Sequence, residues 1–168
     1  MRCSLTLLTA AALLAAASAS AQAPASVTAD LKNAAGQTVG AVIATEAPKG
    51  VLLKVEIKGV TPGWHGLHFH EKADCSKSDF TSAGAHVHGT AAAVHGLLNP
   101  AANDLGDLPN IHAGADGVAS AEVFTTLVTL KGLRDADGSA VVVHASPDDY
   151  LAQPIGGAGP RVACAEIK

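Results

Sequence analysis

Apolar residues recur at every second position along much of the chain, and this alternation constrains the fold more than any other feature. Between residues 51 and 58, Val51, Leu53, Val55 and Ile57 fall on one face of an extended segment. Because successive side chains of a strand point to opposite faces, the pattern is typical of a sheet with one buried face. Strands are also predicted where the pattern or a short apolar run recurs, at 27–31, 39–43, 118–124, 127–130, 140–144 and 161–167.

The segments between the predicted strands contain residues that favour turns. Pro-Lys-Gly at 48–50 and Thr-Pro-Gly at 61–63 separate strands, as do Asp-Gly pairs at 116–117 and 137–138. No convincing amphipathic helix of ten or more residues follows the first 21 positions. A length of 168 residues suits a single domain. The sequence therefore predicts an all-β domain, either a sandwich or a barrel.

Two long segments do not fit the strand pattern. They run roughly from Glu71 to Ile111 and from Ser146 to Pro160, and both are rich in histidine, aspartate and glycine. A loop longer than about 15 residues inside a compact domain is usually functional or disordered. We expect both segments to be functional loops.

The first 21 residues have the pattern of an export signal. Arg2 supplies a positive start, Leu5–Ala17 forms an apolar run too short to span a bilayer, and Ala19–Ala21 reads as an A-x-A cleavage site. Cleavage after Ala21 divides the chain into a signal peptide at 1–21 and a domain at 22–168. No later apolar stretch approaches the ~20 residues of a membrane span, so no membrane association is expected.

Removal of the signal leaves two of the three cysteines, Cys75 and Cys164. An even pair in an exported protein is typical of a disulfide. The alternative is two unpaired buried thiols, which an oxidising compartment disfavours.

The formal net charge of −4 argues against a nucleic-acid-binding protein, which usually has a basic face.

Histidine is the distinctive residue of the composition, because the chain has eight histidines and only five Phe, Trp and Tyr residues. His68 and His70 stand two apart in an extended segment, so both imidazoles can face one centre, and paired imidazoles suit copper or zinc. Such a pair alone is often only a polar strand face. His144, after three valines, taken alone is more typical of a hydrogen-bonded core histidine.

Several motifs occur together, in an order and spacing that make them specific as a set. They are Gly-Leu-His-Phe-His-Glu at 66–71, Cys75, Ser-Ala-Gly-Ala-His at 82–86, Gly-Asp-Leu-Pro-Asn at 106–110, Val-His at 143–144 and Gly-Pro-Arg-Val-Ala-Cys at 159–164. With them, residues 27–168 resemble the copper/zinc superoxide dismutases of the bacterial, exported type. The resemblance implies a Greek-key β-barrel or sandwich of about eight antiparallel strands with two long functional loops.

The resemblance also implies a role for each matching residue. His86 would bridge the two metals, Arg161 would attract the anion at the mouth of the copper channel, and Asp148 would link a copper histidine to a zinc histidine. Asp149 is the neighbouring alternative for that linking role. The implied copper ligands are His68, His70, His86 and His144, and the implied zinc ligands are His86, His95 and Asp107.

One position departs from the family pattern. The family has a zinc-binding histidine three residues before the aspartate, and this chain has Asp104 there. Zinc accepts carboxylate oxygen, so Asp104 is the candidate for the fourth ligand. His88 or His112 replacing it, or a solvated Asp104 with zinc held by three residues, are the alternatives.

The implied activity is superoxide dismutation in the periplasm, with superoxide as substrate and copper and zinc as cofactors. A copper-only or non-catalytic copper-binding relative of the enzymes is the alternative function. Lys72 and Lys77 are candidates for further attraction of the anion or for solubility alone. The sequence leaves open whether the protein is a monomer or a homodimer.

Overall fold

The computed structural model describes residues 23–168. The predicted signal peptide at 1–21 lies outside the described residues. Within them are one four-residue helix, α1 (Leu130–Leu133), a 3₁₀ turn at Thr81–Ala83 and nine strands. The strands are β1 (Ser26–Asn33), β2 (Thr38–Ala47), β3 (Gly50–Lys58), β4 (Gly63–His65), β5 (Leu67–His70), β6 (Ile111–Ala113), β7 (Val118–Thr125), β8 (Ser139–His144) and β9 (Arg161–Ile167). No helix in 23–168 is long and apolar enough to cross a membrane.

Seven strands form one antiparallel sheet in the order β5-β8-β9-β1-β2-β3-β7, and β4 pairs with β6 in a small second sheet. The last strand, β9, returns to lie beside β1, a connection of the Greek-key kind. The inward side chains of these strands share one core, so the large sheet is curled around it. The predicted antiparallel all-β architecture is confirmed.

Alternation explains which face of each strand is buried. In β3, Val51, Leu53, Val55 and Ile57 are buried, whereas the intervening Lys54, Glu56 and Lys58 are exposed. β8 differs, because all six of its residues are buried. Its outer face is covered by Phe80 and Ala83 of the neighbouring loop. The predicted disulfide between Cys75 and Cys164 is present and ties that loop to β9.

The predicted strand at 127–130 is wrong. Thr129 instead caps α1, with its side-chain hydroxyl accepting a hydrogen bond from the Gly132 N–H. The helix buries Leu130 and Leu133, which stand three apart, a spacing that fits one helix face. The short strands β4 and β6 are additional to the prediction.

Two long connections lie against the histidines of β5 and β8. We call residues 71–110 the first loop and residues 145–160 the second loop. The first loop folds back on the edge strand β5: Val87 N–H donates to the Phe69 carbonyl, and Phe69 N–H donates to the Gly106 carbonyl, both at 2.9 Å. A Cβ on Gly106 would lie 2.3 Å from the Phe69 oxygen, so this close approach requires glycine.

Candidate metal centre

Four buried histidines converge at the edge of the sheet formed by β5. His68 and His70 come from β5, His86 from the first loop and His144 from the last position of β8. One ring nitrogen from each lies within 4.8 Å of the others. The structure thus brings together all four histidines that the family resemblance implied as copper ligands.

The far nitrogen of each strand histidine is held in place by a hydrogen bond. His68 Nε2 lies 2.8 Å from Asp148 Oδ2, His70 Nδ1 lies 3.0 Å from the Gly84 carbonyl, and His144 Nδ1 lies 3.0 Å from the Gly159 carbonyl. These contacts fix the ring orientations and leave the opposite nitrogens facing one another.

Those opposite nitrogens test whether the site fits a metal. In residues 23–168, the buried side-chain nitrogens and oxygens without a hydrogen-bond partner are His68 Nδ1, His70 Nε2, His86 Nε2 and His144 Nε2. A buried polar atom without a partner is costly, and these four face one point. Four imidazole nitrogens suit copper, so the residues fit that ion.

The protonation of two of these rings suits metal binding as well. Burial, then the neighbouring His86 and Arg161, lowers the pKa of His70 to about 2. Burial, then His68, lowers the pKa of His144 to about 3. Both rings are therefore neutral at physiological pH, and a metal ion needs the neutral form.

A second set of donors surrounds the other nitrogen of His86. His86 Nδ1 lies 2.8 Å from Asp104 Oδ2 and 3.5 Å from Asp107 Oδ1. His95 Nδ1 lies 3.8 Å from Asp104 Oδ2 and 2.6 Å from Asp107 Oδ1. All four residues are buried. Two imidazoles and two carboxylates at such distances suit a tetrahedral zinc ion.

His68 also approaches this second set, since it lies within 4.8 Å of His86, His95 and Asp107. Its Nε2 is engaged by Asp148, however, and its Nδ1 belongs to the first set. Asp104 is therefore the better fourth member of the second set. Burial alone would lower the pKa of His86, but Asp104 and Asp107 outweigh it and raise that pKa.

Asp148 connects the two sets. Its Oδ2 accepts from His68 Nε2 at 2.8 Å and its Oδ1 accepts from His95 Nε2 at 3.0 Å. The Asn110 side chain pairs with the backbone of Asp148 on both sides, accepting from its N–H at 2.9 Å and donating to its carbonyl at 2.8 Å. Asp149, the alternative for this role, instead accepts from two backbone N–H groups of its own loop.

Arg161 lies at the opening above His144. Its guanidinium donates to the carbonyls of Phe80 at 2.5 Å and Gly84 at 2.6 Å, so the side chain is anchored to the first loop. Arg161 and His144 line a depression of about 260 Å³ together with Asp79, Thr81, Ile155, Gly159 and Pro160. A larger depression of about 580 Å³ lies beside the disulfide and contains none of the histidines. Of these two depressions, the smaller one is lined by a histidine of the site and by an arginine, so it is the candidate opening to the metal centre.

The two histidines considered as replacements for Asp104 lie elsewhere. His88 is exposed and lies 3.4 Å from Glu71, and His112 is exposed and packs edge-on against Trp64. Three polar groups that hold the site were not identified as site residues from the sequence: the Asn110 amide, the Gln153 amide and the Gly84 carbonyl. Asn110 occurs in one of the motifs that carry the resemblance, whereas a backbone carbonyl has no sequence signal.

Comparisons with known proteins agree with this geometry. The profile of the family described as "Copper/zinc superoxide dismutase (SODC)" matches residues 38–167. The chain is 64% identical to a superoxide dismutase (Cu-Zn) of Caulobacter vibrioides over 149 residues, which cover 85% of this chain and 86% of that protein.

Solved structures are similar too. The Cu/Zn superoxide dismutase from Brucella abortus has a TM-score of 0.72 at 32% identity, with 86% of this chain and 100% of that one covered. A SOD-like protein from Bacillus subtilis has a TM-score of 0.74 at 31% identity, with 84% and 97% covered. The family match spans most of the large sheet and every residue of the two donor sets, and on this evidence the chain belongs to the copper/zinc superoxide dismutase family.

Proposed function

We propose that this protein is a superoxide dismutase that uses copper and zinc. The observation that carries the proposal is the His86 ring, whose two nitrogens face two different buried donor sets. A single imidazole shared in this way would hold the two metals at a fixed separation. The Caulobacter and Brucella relatives are themselves named as copper/zinc superoxide dismutases.

Each donor set is assigned to one metal. Copper would be held by His68 Nδ1 and by the Nε2 atoms of His70, His86 and His144. Zinc would be held by His86 Nδ1, His95 Nδ1 and carboxylate oxygens of Asp104 and Asp107. Asp148 would orient one ring of each set.

Bound copper supplies one-electron exchange, by which one superoxide is oxidised to O₂ and a second, with two protons, is reduced to H₂O₂. When it is not bound to copper, His86 Nε2 would be the ring atom placed to carry a proton to the product, because Nδ1 of the same ring is held among the carboxylates. Arg161 is the fixed positive charge at the opening and would attract and orient the anion. Its two bonds to backbone carbonyls keep the guanidinium in that position.

The alternative functions fit less well. A copper-only protein has no use for the buried set of His95, Asp104 and Asp107 beside His86. A passive copper carrier has no need of an anchored arginine at the opening of the depression. Both features favour the enzyme.

The direct test is superoxide consumption by the purified protein loaded with copper and zinc. We expect turnover far above that of buffer, and we expect a copper-selective chelator to abolish it, with recovery when copper is added back. Metal analysis by mass spectrometry should find one copper and one zinc per chain. No superoxide consumption by fully loaded, folded protein would contradict the proposal.

We also propose that the domain at 22–168 acts after export to the periplasm. The Cys75–Cys164 disulfide supports this, because such bonds persist in oxidising compartments. The mass of the protein isolated from a periplasmic extract should correspond to a chain that begins at Gln22, and a full-length chain retained in the cytoplasm would refute the proposal.

A further inference from the structure

The side-chain amide of Gln153, in the second loop, pairs with the backbone of His95, in the first loop. Its Oε1 accepts from His95 N–H at 2.9 Å and its Nε2 donates to the His95 carbonyl at 2.8 Å. Both backbone hydrogen-bonding groups of His95 are thus bound by one side chain. We propose that Gln153 is a positioning residue for the zinc site, acting through His95; the inference rests on the function proposed above.

The two backbone groups of His95 differ in whether they have a second hydrogen-bond partner. The His95 carbonyl also accepts from Asn99 Nδ2 at 3.2 Å. Among the described residues, the His95 N–H donates only to Gln153 Oε1. His95 is fully buried, so loss of Gln153 leaves that N–H without a protein partner in a place where such a group is costly.

The consequence for the metal follows from where the ring of His95 points. Nδ1 faces Asp107 and Asp104, and Nε2 donates to Asp148. The ring position depends on the backbone to which it is attached, and Gln153 fixes that backbone. A shift of His95 therefore moves a zinc donor directly, while the four nitrogens of the copper set come from other residues.

A reciprocal contact holds Asp148, the residue to which the His95 ring donates. The Asn110 amide, at the end of the first loop, binds both backbone groups of Asp148 in the second loop. Gln153 of the second loop therefore holds His95 of the first loop, and Asn110 of the first loop holds Asp148 of the second. His95 and Asp148 are the two residues joined by the hydrogen bond of 3.0 Å. Of the two amides, Gln153 is the one that holds a proposed zinc ligand, His95.

The test compares zinc binding in the mature, metal-loaded protein and in two variants. Gln153→Ala removes both bonds. Gln153→Glu keeps an acceptor for the His95 N–H but replaces the donor to the carbonyl with an oxygen. The matched control is Gln37→Ala, because Gln37 also accepts a side-chain hydrogen bond, from Asn33, but in an exposed turn. Zinc affinity is measured by competition with a chromophoric chelator, and copper is quantified in the same samples.

We expect Gln153→Ala to raise the zinc dissociation constant about 10-fold, the lower end of the range for residues that orient metal ligands, with copper retention unchanged. Gln153→Glu should show at least as large an effect, because an oxygen would face the His95 carbonyl. With cobalt(II) in the zinc site, both variants should change the visible absorption of that ion. Gln37→Ala should match the parent in every measurement.

Zinc affinities within twofold of the parent in both Gln153 variants would overturn the inference and leave the proposed function intact. Equal loss of copper and zinc would also overturn it, because it would indicate general unfolding instead of positioning. If the parent protein itself binds no zinc beside copper, the proposed zinc site fails, and the inference fails with it.

Discussion

The carboxylate of Asp104 makes contacts of two kinds. Its Oδ2 lies 2.8 Å from His86 Nδ1, among the proposed zinc donors, while its Oδ1 accepts from the Gly106 N–H at 2.8 Å and closes a local turn. Together with Asp107 it would bring two negative charges to the proposed zinc site. These would balance the two positive charges of the ion, so the field on the neighbouring copper would differ from that of a site with a single carboxylate.

Replacing Asp104 with alanine should lower zinc affinity about 10-fold or more and leave copper binding intact, because a donor is lost from one set only. Asp104→His, which restores the residue type that the family has at this position, should recover zinc binding. Metal content after dialysis against a chelator measures both effects.

Asp116→Ala is the matched control for Asp104→Ala. Asp116 Oδ1 accepts from the N–H two residues later, as Asp104 Oδ1 does, but in an exposed turn. It therefore reports the cost of losing the turn alone. Zinc content in Asp104→Ala equal to that of the Asp116→Ala control would remove Asp104 from the ligand set.

At the scale of elements, strand alternation in the sequence located most of the sheet, whereas tertiary contacts decided the exceptions. β3 and β9 follow their predicted spans closely because their side chains alternate or run apolar as the sheet requires. The segment at 127–130 is equally apolar, yet the Thr129 cap and the burial of two leucines make it the start of a helix. Propensity over four residues is too weak to separate these outcomes.

The residues of the candidate site were likewise predicted from the sequence only in part. Most of the histidines and aspartates were found because they occupy positions that match the family at a defined spacing, and Asp104 was found because it departs from that pattern. Gln153 and the Gly84 carbonyl act through contacts between segments distant in sequence, and no local pattern encodes such a contact. Asp104 was identified as a candidate ligand, and the structure adds the distances that favour it over His88 and His112.

Packing of the first loop against β5 requires a residue without a side chain at position 106, and this requirement can be tested at Gly106. In Gly106→Ala the new methyl group would meet the Phe69 carbonyl at 2.3 Å, so the loop must shift. We expect a loss of about 1–3 kcal/mol in the free energy of unfolding, measured by denaturant titration, and weaker retention of zinc.

Gly89→Ala, in the same loop, is the control for Gly106→Ala. A Cβ at Gly89 has nothing within 4 Å, so this variant should stay within about 0.5 kcal/mol of the parent. If the two variants were equally stable, the loop would not depend on its close approach to β5.

At the scale of the whole molecule, a chain with net charge −4 would repel an anionic substrate if its charge were evenly spread. Arg161 concentrates positive charge at the depression above His144, where Asp79 is the acidic neighbour. Lys77 lines a different depression, beside Cys75. A local positive field at the opening can raise the rate of encounter even when the total charge is negative.

Arg161→Ala should therefore lower kcat/KM for superoxide about 10-fold at low ionic strength, with the difference shrinking as salt is added. Arg161→Lys should keep part of the salt dependence, since the charge remains while the two carbonyl contacts change. Pulse radiolysis at several ionic strengths measures these rates.

Arg134→Ala removes the same charge from an exposed site where the arginine donates to the Lys168 carbonyl, and it should leave the rate unchanged. Equal loss of rate in Arg134→Ala and Arg161→Ala would mean that total charge matters and the position of Arg161 does not.

The pairing of β1 with β9 has a consequence for immobilising the protein or fusing it to a partner at its termini. These strands are antiparallel neighbours, with Lys32 opposite Cys164, so the start of β1 and the end of β9 lie at the same end of the sheet. Arg161 begins β9 at the opposite end, and the strand rises about 3.3 Å per residue, so Ile167 lies about 20 Å from Arg161. A tether or fusion partner joined at either terminus of the domain is thus directed away from the opening, and immobilised protein is expected to keep its depression accessible to solvent.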